Sequence, residues 1–353
     1  MSTPLSLGST LSAFATAVLL LVTAAAAANG YANSIRPEDW AAYRDRFVMA
    51  DGRVVDDANG GISHSEGQGY GLLLAFSAGD RGTFERIFGF TRNQLLIRDD
   101  GLAAWKWDPK ANPHVVDIND ASDGDILIAY ALGLAGKAWG EPRYTEAGRA
   151  LATAIGENLF ATINGRTVLL PAVQGFAPPD RPKGTLVVNP SYWVFEAFPV
   201  LKELAPQFAW DAVASAGTEI VAAARFGESA LPADWVTISA KGLEPAEGFP
   251  AVFGYNAIRI PLYLVRAGIR GTFLDRFGPR NAQDVPAVVN LTTGRDTSQL
   301  TDPGYRMIDA LVACTRGTPV PEDLLRFAPT NYYPSTLHLL GLSYLASREG
   351  RCA

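Results

Sequence analysis

The stretch GDILIAYALGLAGKAW, residues 124–139, decides the fold. Its charges are confined to Asp125 near the start and Lys137 near the end, and the rest is apolar or small. A helix that is apolar nearly all round has to be covered on more than one side. Working outward, apolar residues recur at helical spacing in WAAYRDRFV from Trp40, GYGLLLAFSA from Gly69, GTFERIFGFTRNQLL from Gly82 and YTEAGRALATAIGENLF (144–160). The series continues through SYWVFEAFPVLKEL (191–204), NAIRIPLYLVRAG (256–268), YRMIDALVACT (305–315) and STLHLLGLSYLAS (335–347). Helices apolar on all sides alternate with more amphipathic ones, which predicts an inner and an outer layer. One segment breaks the pattern: in LFATINGRTVLLPA, Asn164-Gly165 between β-prone runs signals a type I′ hairpin. The reading is one all-α domain with small β-hairpin excursions.

Before that domain lies Leu11 to Ala28, LSAFATAVLLLVTAAAAA, an uncharged apolar run that ends in small residues. It reads as a secretory signal peptide cleaved after Ala28 or Ala32, with an uncleaved anchor as the rival. We take residues 1–32 as the signal and 33–353 as the mature domain, exported to the periplasm or secreted. The 353 residues are 48% hydrophobic and 19% charged, the profile of a folded globular chain, and the formal net charge of −6 argues against nucleic acid or anionic lipid as partner. Two cysteines, Cys314 and Cys352, could pair in an exported protein. The three histidines show no metal-ligand spacing, so no metal or cofactor is expected. We expect a monomer.

Chemistry concentrates in a few stretches. In HSEGQGYGLLLAF (64–76), Glu66 is crowded by glycines and Tyr70, with almost no other charge nearby. It is either a buried structural carboxylate or an acid held near neutrality to donate a proton. In NDASDGD (119–125), Ser122 or Asp123 makes a natural N-cap and Asp125 falls in the first turn. Capping explains one acid and leaves a second beside a glycine. Trp105 and Trp107 in LAAWKWDP, with NPSYW (189–193), ADWV (233–236), FGYNAIR (253–259) and NYYP (331–334), repeatedly place an aromatic beside a hydrogen-bonding residue. Any one of these alone is packing more readily than function. Together they suit a neutral polyhydroxylated ligand, whose C–H faces pack on aromatic rings.

ASDGDILIAYALGLAGKAW (121–139) resembles the signature segment of glycoside hydrolase family 8, and SEGQGYGLLLAF resembles the segment that carries that family's proton-donating glutamate. The order of GRVVDDANGGISHSEGQGYG, AWKWDP, NDASDGD, NPSY, DWV, GYNAIRIPLYL and NYYPSTLHLLGL resembles the family's cellulases that accompany bacterial cellulose synthases. The resemblance spans about residues 36 to 347. It implies an (α/α)6 barrel and an inverting, endo-acting β-1,4-glucanase, with a β-glucan substrate and the cellulose synthase machinery as a further partner. It makes Glu66 the general acid and Asp123 the second catalytic carboxylate, in contact with the sugar at the cleavage point. Trp105, Tyr192 and Tyr255 fall at sugar-binding positions. Tyr70, Trp107, Asp125, Arg259 and Tyr333 complete the candidate substrate-binding set.

One position departs from the cellulase pattern. Where that subgroup has a water-activating aspartate, GYNAIR has Asn256. An amide orients water but does not accept its proton near neutral pH. Three readings follow: a substitute base, with Glu244 and Glu247 just upstream; base duty on Asp123; or a weakened glucan-binding protein. A chitosanase or xylanase of the same family is a further alternative. For the acid, apolar burial beside Tyr70 is expected to favour the protonated form. Gly67, Gly69 and Gly71 are expected to clear side-chain bulk where the polysaccharide passes.

Overall fold

The computed structural model describes residues 31–279 and 285–347. In chain order the helices are α1 (Pro37–Phe47), α2 (Ser65–Ser77), α3 (Arg81–Gln94), α4 (Ser122–Trp139), α5 (Pro142–Asn158), α6 (Phe198–Leu204), α7 (Trp210–Ala223), α8 (Ile260–Arg266), α9 (Pro303–Cys314) and α10 (Tyr332–Ser347). In α2, α4 and α10 nearly every residue is buried, whereas α3, α5 and α7 bury one face. Packing runs in a circuit from α2 to α4, to the Phe195–Ala197 turn that leads into α6, then to α8, α9, α10 and back to α2. This is the two-layer, all-α arrangement that the apolar segments predicted, an (α/α)6 fold.

Two predicted helices are interrupted. In 191–204 and 256–268, single turns of 3-10 helix (Phe195–Ala197 and Ala257–Arg259) precede α6 and α8, which begin at Pro199 and Pro261 within their first two positions. Proline has no N–H to give to the preceding turn, so the regular helix starts there rather than running through it.

Short antiparallel strands decorate the loops: β1 (Ser63–His64) with β2 (Lys106–Trp107), β3 (Phe160–Ile163) with β4 (Arg166–Leu169), β5 (Leu186–Val188) with β6 (Val236–Ser239) and β7 (Gly242–Pro245), and β8 (Val252–Phe253) with β9 (Ala287–Asn290) and β10 (Asp296–Gln299). The predicted hairpin is β3–β4, with Ile163 opposite Arg166 and Asn164 and Gly165 at φ 50° and 75°, as a type I′ turn requires. The other small sheets carry no comparable turn signal in the sequence.

The glycines of the acid-bearing segment do not line a passage for substrate. A Cβ on Gly69 would lie 2.5 Å from Leu127 Cβ, and one on Gly71 2.6 Å from Val54. From the facing helix, a Cβ on Gly124 would lie 2.1 Å from Ser65 Oγ and 2.7 Å from the Glu66 nitrogen. Gly69 and Gly124 let α2 and α4 touch at their N-terminal ends, while Gly71 lets Val54 and Ile87 close on α2. Gly124→Ala is therefore expected to destabilise the fold by about 1–3 kcal/mol, the usual range for overpacking a core. Because the backbone it pushes carries Glu66, turnover should fall further than the lost stability alone explains. Denaturation midpoints and kcat measured side by side check this.

Tyr31 is part of the domain: it is buried, its hydroxyl donates to the Arg266 carbonyl at 3.1 Å, and Arg266 lies 4.1 Å over its ring. Tyr31, which the sequence reading placed ahead of the domain, thus packs against it. Cys314 is disulfide-bonded. Cys352 and the apolar run 11–28 lie outside the described residues.

Candidate active site

A cleft of about 670 Å³ opens where the N-termini of α2 and α4, the turn before α8 and the starts of α9 and α10 converge. His64 is the N-cap of α2, and its Nδ1 accepts from the Gly67 N–H at 2.9 Å. Glu66 then projects from the first turn into the cleft. The N-cap of α4 is Ala121, with no side-chain cap, so Ser122 and Asp123 are helical residues rather than the caps expected from the sequence. Asp123 lines the cleft, and its Oδ1 accepts from the Gly124 N–H at 2.8 Å.

Arg259 joins the two carboxylates. One guanidinium nitrogen donates to Glu66 Oε1, and Nη2 donates to Asp123 Oδ2 at 2.6 Å. The arginine is 2% exposed and lies 5.6 Å over the Tyr192 ring. The surroundings of Glu66 are thus not the apolar pocket expected: a guanidinium holds one oxygen, and His64 Nδ1 lies 3.7 Å from the other. Asp123 is pushed up to about 6, because burial penalises its charge more than Arg259 stabilises it.

Asn256 lines the same cleft, and its Nδ2 donates to Asp234 Oδ2 at 3.5 Å. Asp234 is buried and fixes the turn, since its Oδ1 accepts from the Gly254 and Ala257 N–H groups at 2.8 and 2.9 Å. The Asn256 amide nitrogen is thus turned to Asp234. Trp105, Tyr192, Tyr255 and Tyr333 line it too, and Tyr255 is 53% exposed. The Tyr333 hydroxyl donates to the Tyr255 carbonyl at 2.7 Å.

Three candidate residues lie elsewhere. Tyr70 is fully buried with its hydroxyl against that of Tyr263. Its position on α2 faces the core because α2 is an inner helix. Trp107 lies in a separate surface groove, 4.3 Å from the His114 ring and under Arg53. Asp125 is fully buried one helical step from the cleft, and its Oδ1 accepts from the Ala103 N–H at 2.8 Å. Glu244 and Glu247, the upstream candidates for a base, are not among the cleft's lining residues; Glu244 sits on β7 opposite Thr237.

Asp56, His64, Asp302 and Tyr305 line the cleft and were not singled out from the sequence. A signal existed only for His64, two residues before Glu66 at a helix entrance. Asp302 precedes a proline and reads as an ordinary helix cap.

Asp125 and its neighbour Asp120 form a buried acidic pair. Burial pushes Asp120 up to about 6, and burial together with Asp120 pushes Asp125 well above the carboxylate range. Because the folded-state values lie above the unfolded ones, this stabilising contribution is complete below pH ~4 and is lost as pH rises through about 6. For Asp120 the difference amounts to about 3 kcal/mol. Asp120→Asn should flatten the stability–pH curve between pH 4 and 7 by that order, as read from denaturant unfolding at each pH.

Comparison with known proteins places this geometry among relatives. The family model described as glycosyl hydrolases family 8 matches residues 8–347. A probable endoglucanase of Novacetimonas hansenii is 35% identical over 319 residues, 88% of this chain and 91% of that one. An endoglucanase of Cellulomonas uda is 39% identical over 226 residues, and the match spans 64% of this chain but only 62% of that relative's length. The solved structure of an endo-β-1,4-glucanase from Acetobacter xylinum superposes with a TM-score of 0.78 at 33% identity, covering 91% of this chain and 99% of the other.

Proposed function

We propose that this chain, which belongs to family 8 of the glycosyl hydrolases, is an endo-acting, inverting β-1,4-glucanase that is exported and trims glucan during cellulose production. The observation that carries the reading is the pair Glu66 and Asp123 held by one buried guanidinium at the floor of an open, tyrosine-lined cleft. A glucan strand laid along the cleft packs its C–H faces on Trp105, Tyr192 and Tyr255. Glu66 in its protonated form gives its proton to the departing glycosidic oxygen. A water attacks C1 from the opposite face, so the configuration inverts. Asp123, joined to the same guanidinium, is placed to hold the sugar at the point of cleavage. The Asn256 carbonyl accepts from the attacking water and orients it.

The test uses the chain lacking residues 1–28 on carboxymethylcellulose. Viscosity should fall well before reducing ends accumulate, and proton NMR of cleaved cello-oligosaccharides should show the α-anomer first. Absence of any reducing ends on this substrate rejects the reading. Asn256 motivates a second reading, a glucan-binding protein that has lost turnover. Binding of cello-oligosaccharides without hydrolysis selects it, and turnover of chitosan or xylan in preference to cellulose redirects the substrate class. Export with cleavage after Ala28 is supported by the burial of Tyr31. N-terminal sequencing of the exported protein should begin at Asn29, and a start at Asn33 would contradict it.

A further inference from the structure

Within the glucanase reading, on which this inference rests, the unassigned role is the group that takes the proton from the attacking water. The cleft is lined by four carboxylates, Asp56, Glu66, Asp123 and Asp302. Glu66 and Asp123 are both bound to Arg259. Asp56 is committed to its own loop, with Oδ1 accepting from the Ala58 N–H at 3.2 Å and Oδ2 lying 3.6 Å from His64 Nε2. Asp302 differs from all three. It occupies the N-cap position of α9, yet its side chain makes no capping bond, and among the described residues its carboxylate has no hydrogen-bond or ion-pair partner. A carboxylate at an N-cap ordinarily turns back to the first-turn N–H groups. Here it is half-buried and borders the cleft instead.

Asp302 lines the same cleft as Asn256, and the helix it begins packs against the Ala257–Arg259 turn that follows Asn256. Asp302 lies one turn before Tyr305, whose N–H donates to the Asp302 carbonyl at 3.1 Å. The Tyr305 ring lies 6.3 Å from Tyr255, the neighbour of Asn256, and 6.1 Å from Tyr333. The Asp302 charge also adds to the burial that pushes the Tyr305 phenol up.

We infer that Asp302 is the general base, a catalytic carboxylate supplied from the start of α9 in place of the one that Asn256 cannot be. In the reaction the water oxygen bonds to C1 as the C1–O4 bond breaks. One water proton passes to Asp302, and the Glu66 proton passes to O4. The cycle ends with Asp302 protonated and Glu66 ionised, and both reset by exchange with solvent.

The experiment compares the wild type, Asp302→Asn and Asp56→Asn on carboxymethylcellulose and cellopentaose, with sodium azide as a small anionic nucleophile that needs no base. Asp302→Asn is expected to lose about 10²–10⁴ in kcat with KM little changed, the usual weight of a general base. Azide should restore turnover of this variant and release an α-glycosyl azide, a product that a merely misfolded cleft does not form. Asn256→Asp added to Asp302→Asn should recover hydrolysis. Near-wild-type kcat in Asp302→Asn, a loss that neither azide nor Asn256→Asp repairs, or an azide-rescued loss in Asp56→Asn instead, overturns the assignment. A wild type without turnover rejects the glucanase reading itself, which separates that failure from this one.

Discussion

Replacing Glu66 by glutamine is expected to lower turnover of carboxymethylcellulose by about 10²–10⁴, the contribution of a positioned general acid. The amide has the shape of the carboxyl, and its oxygen can still accept from Arg259, so the ion pair becomes a hydrogen bond and the α2–α4 contact stays intact. What disappears is the transferable proton. The loss should depend on the leaving group: an aryl cellobioside, whose phenolate departs without protonation, should be hydrolysed far closer to the wild-type rate than cellulose. Denaturation midpoints should barely move. Cellulose turnover preserved in Glu66→Gln would end the assignment of this residue.

The largest stability effect is expected far from the cleft. Arg266 on α8 is fully buried, and its Nε donates to both Glu196 oxygens at 2.8 Å while Nη1 donates to the Leu340 carbonyl at 2.6 Å. One side chain thereby ties together α8, α10 and the turn before α6, and it also carries Tyr31 on its face. Removing one member of a buried ion pair strands the other charge in low dielectric, which costs about 3–5 kcal/mol. Arg266→Met should lose stability in that range by denaturant unfolding. Adding Glu196→Leu should return part of it, because the stranded carboxylate is then gone. A single-variant loss of under about 1 kcal/mol would show that the pair is not desolvated as the packing implies.

How much of this was legible depended on whether the information was local. The hairpin at Asn164-Gly165 was, since two adjacent residues with positive φ specify the turn. The layer order was legible as well, because inner helices such as 124–139 have no polar face to give to water. Other features misled for a physical reason. Glycines 69 and 71 read as clearance for a ligand, but a missing Cβ gives the same sequence signal whether a sugar or a neighbouring helix fills the space, and Leu127 and Val54 fill it. Tyr70 and Asp125 sit near Glu66 and Asp123 in sequence yet turn into the core, because successive helical positions point about 100° apart. Asp302 gave no signal, since an Asp before a proline reads as a cap and only its neighbours reveal that it does not act as one.

The chain's own pattern therefore determined an all-α, two-layer domain and brought out Glu66 and Asp123, because periodicity and an acid at the entrance of an almost uncharged helix are properties of short segments. Tertiary structure alone decided that Arg259, 193 residues from Glu66 and 136 from Asp123, bridges the two, that Asn256 leans on Asp234, and that Asp302 borders the same cleft. Those contacts arise where helix ends from distant parts of the chain converge, and no local rule encodes which ends will meet.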